Sequence, residues 1–133
     1  MGVKNEGFDE EVKRTQKIKQ VYEDTSVEWC NRMGKFLYDQ AVKNTPVDTG
    51  NLQRGWQRSP VVKTDKQYRQ TVYNNTKYGP YVEYGHRIKR NGEYIGFSPG
   101  VFFFRQAIKN YRNARPEMKH DFNASLKARL DKL

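Results

Sequence analysis

The chain has 133 residues and a mass of 15.8 kDa, with one cysteine, two histidines and 25 Lys+Arg against 15 Asp+Glu, a formal net charge of +10. That length suits one domain, 1–133, with no room for a separate catalytic partner domain, and a lone cysteine excludes an internal disulfide framework and any Cys-only metal site. No stretch approaches the roughly 18 apolar residues of a membrane span, and the N-terminus has no apolar signal core, so a soluble protein made inside the cell and free of the membrane is expected.

Core material is scarce. Ile, Leu, Val and Phe make 27 of 133 residues, at the border of disordered composition, and the ordered reading rests on nine Tyr, seven Phe and two Trp. The charge is uneven: residues 1–50 hold 8 basic and 9 acidic side chains, residues 51–133 hold 17 and 6. A gradient of this kind suits a polyanion, an acidic protein neighbour or plain solubility.

The first block reads as a long helix. Asp9 is its expected cap, with Glu10 and Glu11 in the first turn, where the helix dipole favours negative charge. Ile18, Val21, Tyr22, Thr25, Trp29, Met33, Phe36 and Leu37 recur at three- and four-residue spacing and form one apolar stripe. The stripe is thinner over residues 9–17, so the extension 1–17 is expected to fray or project. Thr45-Pro46 ends the helix, because the residue before proline is pushed out of the helical region.

Asp48-Thr49-Gly50 is a turn signal, handing the helix over to a sheet. Residues 55–63 and 68–74 read as two strands joined across Thr64-Asp65-Lys66. Pro60 makes the first an edge strand, a bulged one, or two pieces. Asn74-Asn75-Thr76 ends this hairpin. The aromatic segment Tyr78–Gly85 suits a helical turn after Pro80, released by Gly85. Arg87–Lys89 and Glu93–Ile95 flank Arg90-Asn91-Gly92, a strong hairpin signal, so 86–97 is expected to project as a mobile hairpin.

Ser98-Pro99-Gly100 opens a second helical block. Phe104, Ile108, Tyr111, Met118, Phe122, Leu126 and Leu133 keep helical spacing, with Arg115 and Arg129 on the same face. Pro116 sits in phase with the stripe, so the helix is expected to be kinked or broken there. The fold class is therefore α+β: a long N-terminal helix, a small antiparallel β-sheet with a projecting hairpin, and a C-terminal helix packed on it.

Few constellations carry chemistry. Asp48-Thr49-Gly50 matches the short signature of aspartic proteases, but the polar residues around it lack the apolar strand that would fix such a loop. His86 and His120 stand 34 residues apart without a neighbouring ligand, and Cys30 beside Trp29 reads as a small packed side chain. No catalytic residue, metal site or cofactor is expected. Tyr73, Tyr78, Tyr81, Tyr84 and Tyr94 among Lys77, Arg87, Lys89 and Arg90 have the composition of a nucleic-acid surface, without the signature of a known nucleic-acid-binding motif.

Three segments together resemble a known family. They are Thr45-Pro46-Val47-Asp48-Thr49-Gly50-Asn51-Leu52 after the long helix; Thr71-Val72-Tyr73-Asn74-Asn75 running into Tyr78-Gly79-Pro80-Tyr81-Val82-Glu83-Tyr84-Gly85; and Pro99-Gly100-Val101-Phe102-Phe103-Phe104-Arg105-Gln106-Ala107-Ile108. Their order and spacing resemble the small neck or tail-completion proteins, also called head–tail joining or minor tail components, of long-tailed double-stranded DNA phages. The resemblance implies a non-enzymatic structural protein of the virion, placed at the head–tail junction after assembly in the host cytoplasm. It implies a homo-oligomeric ring that docks neighbouring neck or tail proteins around the channel for DNA.

The resemblance leaves the hairpin without an inherited role. Tyr78, Tyr81, Glu83, Tyr84 and Gly85 are the candidate subunit or partner interface, and Arg87, Lys89 and Arg90 the candidate contact to DNA or an acidic partner. For Glu83, three roles stay open: capping backbone amides, pairing with a nearby Arg, or bridging to the next subunit. A small basic nucleic-acid-binding module is the alternative reading, and a homodimeric aspartic protease through Asp48 a distant third.

Overall fold

A computed structural model describes residues 6–47, 50–65 and 67–133. The elements in chain order are helix α1 (Glu6–Asn44), a short helix α2 (Asn51–Arg54), strands β1 (Trp56–Arg58), β2 (Val62–Thr64), β3 (Gln67–Arg69) and β4 (Val72–Asn74), helix α3 (Gly79–Tyr84), strands β5 (Gly85–Arg90) and β6 (Glu93–Pro99), and helix α4 (Phe103–Leu130). This is the expected α+β arrangement.

α1 begins at Glu6, so Asp9 lies inside the helix instead of capping it. The Thr45 N–H still bonds the Ala41 carbonyl at 3.1 Å, and the chain leaves the helix at Pro46. α1 and α4 pack antiparallel. At one end Asn110 Nδ2 donates to Gln40 Oε1 at 2.8 Å, and at the other Arg129 Nη1 donates to Thr25 Oγ1 at 3.0 Å. Ala41 and Ala107 are fully buried, and such small side chains let two helices approach closely.

α4 is one helix through Pro116, which removes the broken alternative. Pro116 and Arg112 are both exposed, so the Arg112 carbonyl that loses its helical partner has access to water. Leu133 lies beyond the helix and is exposed.

The strands form three two-stranded antiparallel ribbons instead of one sheet. β1 pairs with β4 and β2 with β3, which makes one hairpin interrupted at Ser59–Val61, the two-piece outcome that Pro60 allows. Proline has no N–H for the ladder, and Ser59 Oγ fills the gap by accepting from the Thr71 N–H at 2.8 Å. Of the turn Thr64-Asp65-Lys66, Lys66 lies outside the described residues. The hairpin ends where Asn74 Oδ1 accepts from the Thr76 N–H at 2.8 Å, an Asx turn. β5 and β6 form the second hairpin, with Asn91 and Gly92 both at positive φ (51° and 81°) as a type I′ turn requires.

The core is small. Among the described residues, Ala41, Leu52, Trp56, Phe103 and Ala107 are its buried apolar members, with Leu37, Tyr38, Val42, Val72, Val82 and Phe104 packed around them. Trp56 meets Phe103 edge-on at 6.0 Å and Phe104 at 5.0 Å. Its indole N–H donates to Thr45 Oγ1 at 2.7 Å, and that hydroxyl donates in turn to the Ala41 carbonyl. Thr45→Val keeps the shape but strands the buried indole N–H, so a loss of about 1–3 kcal/mol is expected in the urea midpoint.

The far end of the helix pair rests on charge. Arg129 donates to Glu28 as well as to the fully buried Thr25, and Glu28 also meets Arg32 at 2.9 Å. The hydrogen bond from Arg129, opposed by desolvation and aided by the charges of Arg129 and Arg32, holds the Glu28 carboxyl below the ordinary carboxylate range. A depressed folded pKa gives stability that is complete above the unfolded value of about 4.3 and lost as pH falls through the folded value. The urea midpoint should therefore fall below about pH 4, and Arg129→Met should flatten that limb. Glu23, hydrogen-bonded to Lys63 of β2, contributes to the same limb with the same sign.

Candidate assembly surface

The polypeptide from α3 into β5 builds the surface that carries most of the candidate residues. Pro80 occupies the first turn of α3, and Gly85 ends it at φ 89°. A side chain at Gly85 would lie 2.5 Å from the Ser98 carbonyl oxygen and 2.8 Å from the Gly100 nitrogen. One at Gly100 would lie 2.2 Å from the Glu83 carbonyl oxygen. Two glycines thus let the end of α3 and the approach to α4 cross backbone against backbone.

Glu83 takes one of its three open roles within the chain. It is buried, and its two carboxylate oxygens accept from the N–H groups of Phe104 at 2.8 Å and Arg105 at 2.9 Å. It therefore caps the first turn of α4 from a distance of some twenty residues in sequence. The link before α4 is held as well, since the Val101 N–H bonds the Val82 carbonyl at 2.9 Å and the Phe102 N–H the Glu83 carbonyl at 3.1 Å. This is why the helix opens at Phe103 rather than directly after Gly100, with Phe102 left-handed at its N-cap.

Tyr78, Tyr81 and Gly85 come together with Val82, His86, Arg87 and Tyr94 around a shallow concavity of about 680 Å³. Tyr81 and Tyr84 are 58% and 64% exposed, although they flank the buried Glu83. Tyr84 turns away from the concavity, meets Phe102 edge-on at 6.3 Å, and lines a second hollow with Arg105, Lys109 and Arg112. Arg87 and Lys89 both sit over the Tyr94 ring, at 5.1 and 5.0 Å from its centroid. Arg90 is not part of this group and pairs in register with Glu93 at the hairpin tip.

Ile95 and Phe97 are also largely exposed on β6. His86 and Tyr94 were not among the candidate site residues. Tyr94 belongs to the aromatic-basic mixture readable in the sequence, whereas nothing local marks His86.

The turn Asp48-Thr49-Gly50 is described only at Gly50; Asp48 and Thr49 lie outside the described residues. Gly50 has φ 81° and precedes α2, a helical turn that sequence spacing did not suggest. Cys30 is half-buried on α1, and burial pushes its thiol pKa up, in keeping with a packed and unreactive side chain.

The helix, the interrupted hairpin and α3 are the elements by which relatives can be sought. A protein-family model described as "Bacteriophage HK97-gp10, putative tail-component" matches residues 9–85, more than half of the chain. The chain belongs to the HK97-gp10-like family. The matched span runs from α1 to the last residue of the Tyr78–Gly85 segment. The β5–β6 hairpin and α4 lie beyond it. No curated protein and no solved structure gives a significant match. No helix among the described residues is long and apolar enough to cross a membrane.

Proposed function

We propose that this member of the HK97-gp10-like family is a non-enzymatic structural protein of the phage head–tail junction, needed for tail completion or head–tail joining. In this reading it works in the virion as a homo-oligomer, a ring that docks neighbouring neck or tail proteins beside the DNA channel, after assembly in the host cytoplasm. The observation that carries the oligomer is surface area. A compact monomer of this mass exposes about 7,300 Å², while this chain exposes 10450 Å². The surplus, about 3,000 Å² on that scaling, is ample for a standard-sized contact of about 800 Å² on each of two sides. Much of the exposed apolar surface is aromatic, the composition favoured at the centre of interfaces, and it is concentrated on α3 and the second hairpin.

The decisive experiment is a null mutant of the phage that carries the gene. Filled heads and separate tails that fail to join productively are expected in electron micrographs of its lysates. Normal virions would refute the proposal.

A nucleic-acid-binding role is the second reading, favoured by the placement of Arg87 and Lys89 on Tyr94. A triple change of Arg87, Lys89 and Arg90 to Ala separates the two. For a DNA contact it should lower affinity and reduce its salt dependence; for an acidic protein partner it should impair particle assembly while DNA affinity stays unchanged.

A further inference from the structure

α1 overshoots its partner. α4 ends at Leu130, where Arg129 meets Thr25 and Glu28, yet α1 continues to Glu6. Residues 7–20 are all exposed, a stretch of about 21 Å at the helical rise of 1.5 Å per residue. Phe8 is 67% exposed, and Val12, Ile18 and Tyr22 are exposed with it; together they keep close to one face of the helix. Asp9, Glu10 and Glu11 make the same tip acidic. An apolar, acidic helix end without a neighbour is half of a contact.

The other half lies further along the chain. A groove of about 470 Å³ runs between α1, the β3–β4 segment and α4, walled by Trp29, Met33, Leu37, Tyr111 and Phe122 among others. Its charged lining residues are Arg69, Arg115 and Lys119, with no carboxylate among them. The groove is therefore apolar at its floor and cationic at its edges, the complement of the α1 tip in both respects. Within the lining, the indole N–H of Trp29 is buried without a hydrogen-bond partner, so this part of the domain is incompletely packed by its own chain.

We infer that the N-terminal tip of α1, centred on Phe8 and Val12, docks in the α1–β3–β4–α4 groove of a second copy of this chain. The tip cannot serve its own groove, because tip and groove wall belong to one continuous helix, Glu6–Asn44, and a helix does not fold back on itself. The contact is heterologous: each copy gives a tip and receives one, so the arrangement closes into a ring or grows as a filament. This inference rests on the oligomeric reading above and supplies the surface that such an oligomer would use.

Cys30, the single cysteine of the chain, lines the groove and serves as a reporter. Phe8→Cys and Val12→Cys, made singly in the full chain, place a thiol on the exposed tip. Each is oxidised with copper phenanthroline at alkaline pH, both as purified protein at high concentration and in particles recovered from lysates. A ladder of disulfide-linked species above the dimer is expected, because every copy then carries one thiol on each side of the contact. Adding Cys30→Ser should collapse the ladder to dimers at most. Phe8→Glu with Val12→Glu should abolish self-association while leaving thermal unfolding unchanged, since both positions lie on the exposed extension.

A ladder absent in both preparations would overturn the tip-in-groove contact. If null phage still fail to join heads to tails, the junction role survives and only the assigned surface is wrong. If null phage assemble normally, it is the junction role that fails, whatever the cross-linking shows.

Discussion

Replacing Gly100 with alanine should destabilise the protein by about 3 kcal/mol or more, the largest effect of any single added methyl in the chain. The new Cβ would lie 2.2 Å from the Glu83 carbonyl oxygen and 2.6 Å from the Tyr84 carbonyl carbon. Both are backbone atoms at the end of α3, so no side chain can swing aside. Relief requires the α3 end and the β6–α4 link to separate, which breaks the bonds from the Val101 and Phe102 N–H groups to the Val82 and Glu83 carbonyls.

Gly96→Ala on the same β6 strand is the matched control. Nothing lies within 4 Å of a Cβ there, and a change within about 0.5 kcal/mol is expected. Urea midpoints at constant m-value test both. Equal midpoints for the two variants would show that the crossing is looser than described. Because the same crossing sets the β5–β6 hairpin against the helix pair, Gly100→Ala should also impair assembly, whereas Gly96→Ala should not.

The elements that were legible in the sequence are those with a local cause. Thr45-Pro46 ends α1 because proline acts on its immediate neighbour, and Asn91-Gly92 turns the hairpin because those two residues tolerate positive φ. Pro60 made an interruption readable, though not that Ser59 would complete the ladder. What stayed hidden depends on where other elements end. Ile18 and Tyr22 continue the α1 stripe and look like core, yet both are exposed because α4 stops at Leu130.

Periodicity also favours large residues, so it missed Ala41 and Ala107, whose value lies in being small at a close helix contact. In the run Phe102-Phe103-Phe104, spacing selected Phe104. Phe103 is the buried one, since the Phe102 N–H is held by the Glu83 carbonyl and the helix starts one residue later. The candidate site was legible in its composition, the tyrosines and cations of 78–94. Its geometry depends on Gly85 meeting Gly100, a contact between segments fifteen residues apart that no local pattern announces.

Glu83→Ala should cost about 2–3 kcal/mol, because it strips both acceptors from the Phe104 and Arg105 N–H groups where α4 begins. These donors have no helical partner of their own, and a carboxylate beside them also complements the positive end of the helix dipole. Glu83→Gln keeps one acceptor oxygen but loses the charge and presents an amide N–H₂ where an acceptor stood. About 1–2 kcal/mol is expected for it. The distinguishing readout is hydrogen exchange. The Phe104 and Arg105 amides should lose protection before the rest of α4, while amides near Asn110 should follow global stability.

Unchanged exchange at these two amides in Glu83→Ala would remove the capping role. The carboxylate lies between Tyr81 and Tyr84, so its two possible uses make opposite demands. If Glu83 bridged to a neighbouring subunit, Glu83→Gln would disrupt assembly with the urea midpoint intact. If it caps α4, the midpoint falls, and assembly fails only as far as the tyrosines on either side lose their support. The buried position and the two short bonds to backbone amides favour the second outcome. A residue central to the candidate interface in sequence then acts from beneath it, holding α3 and its exposed tyrosines against the start of α4.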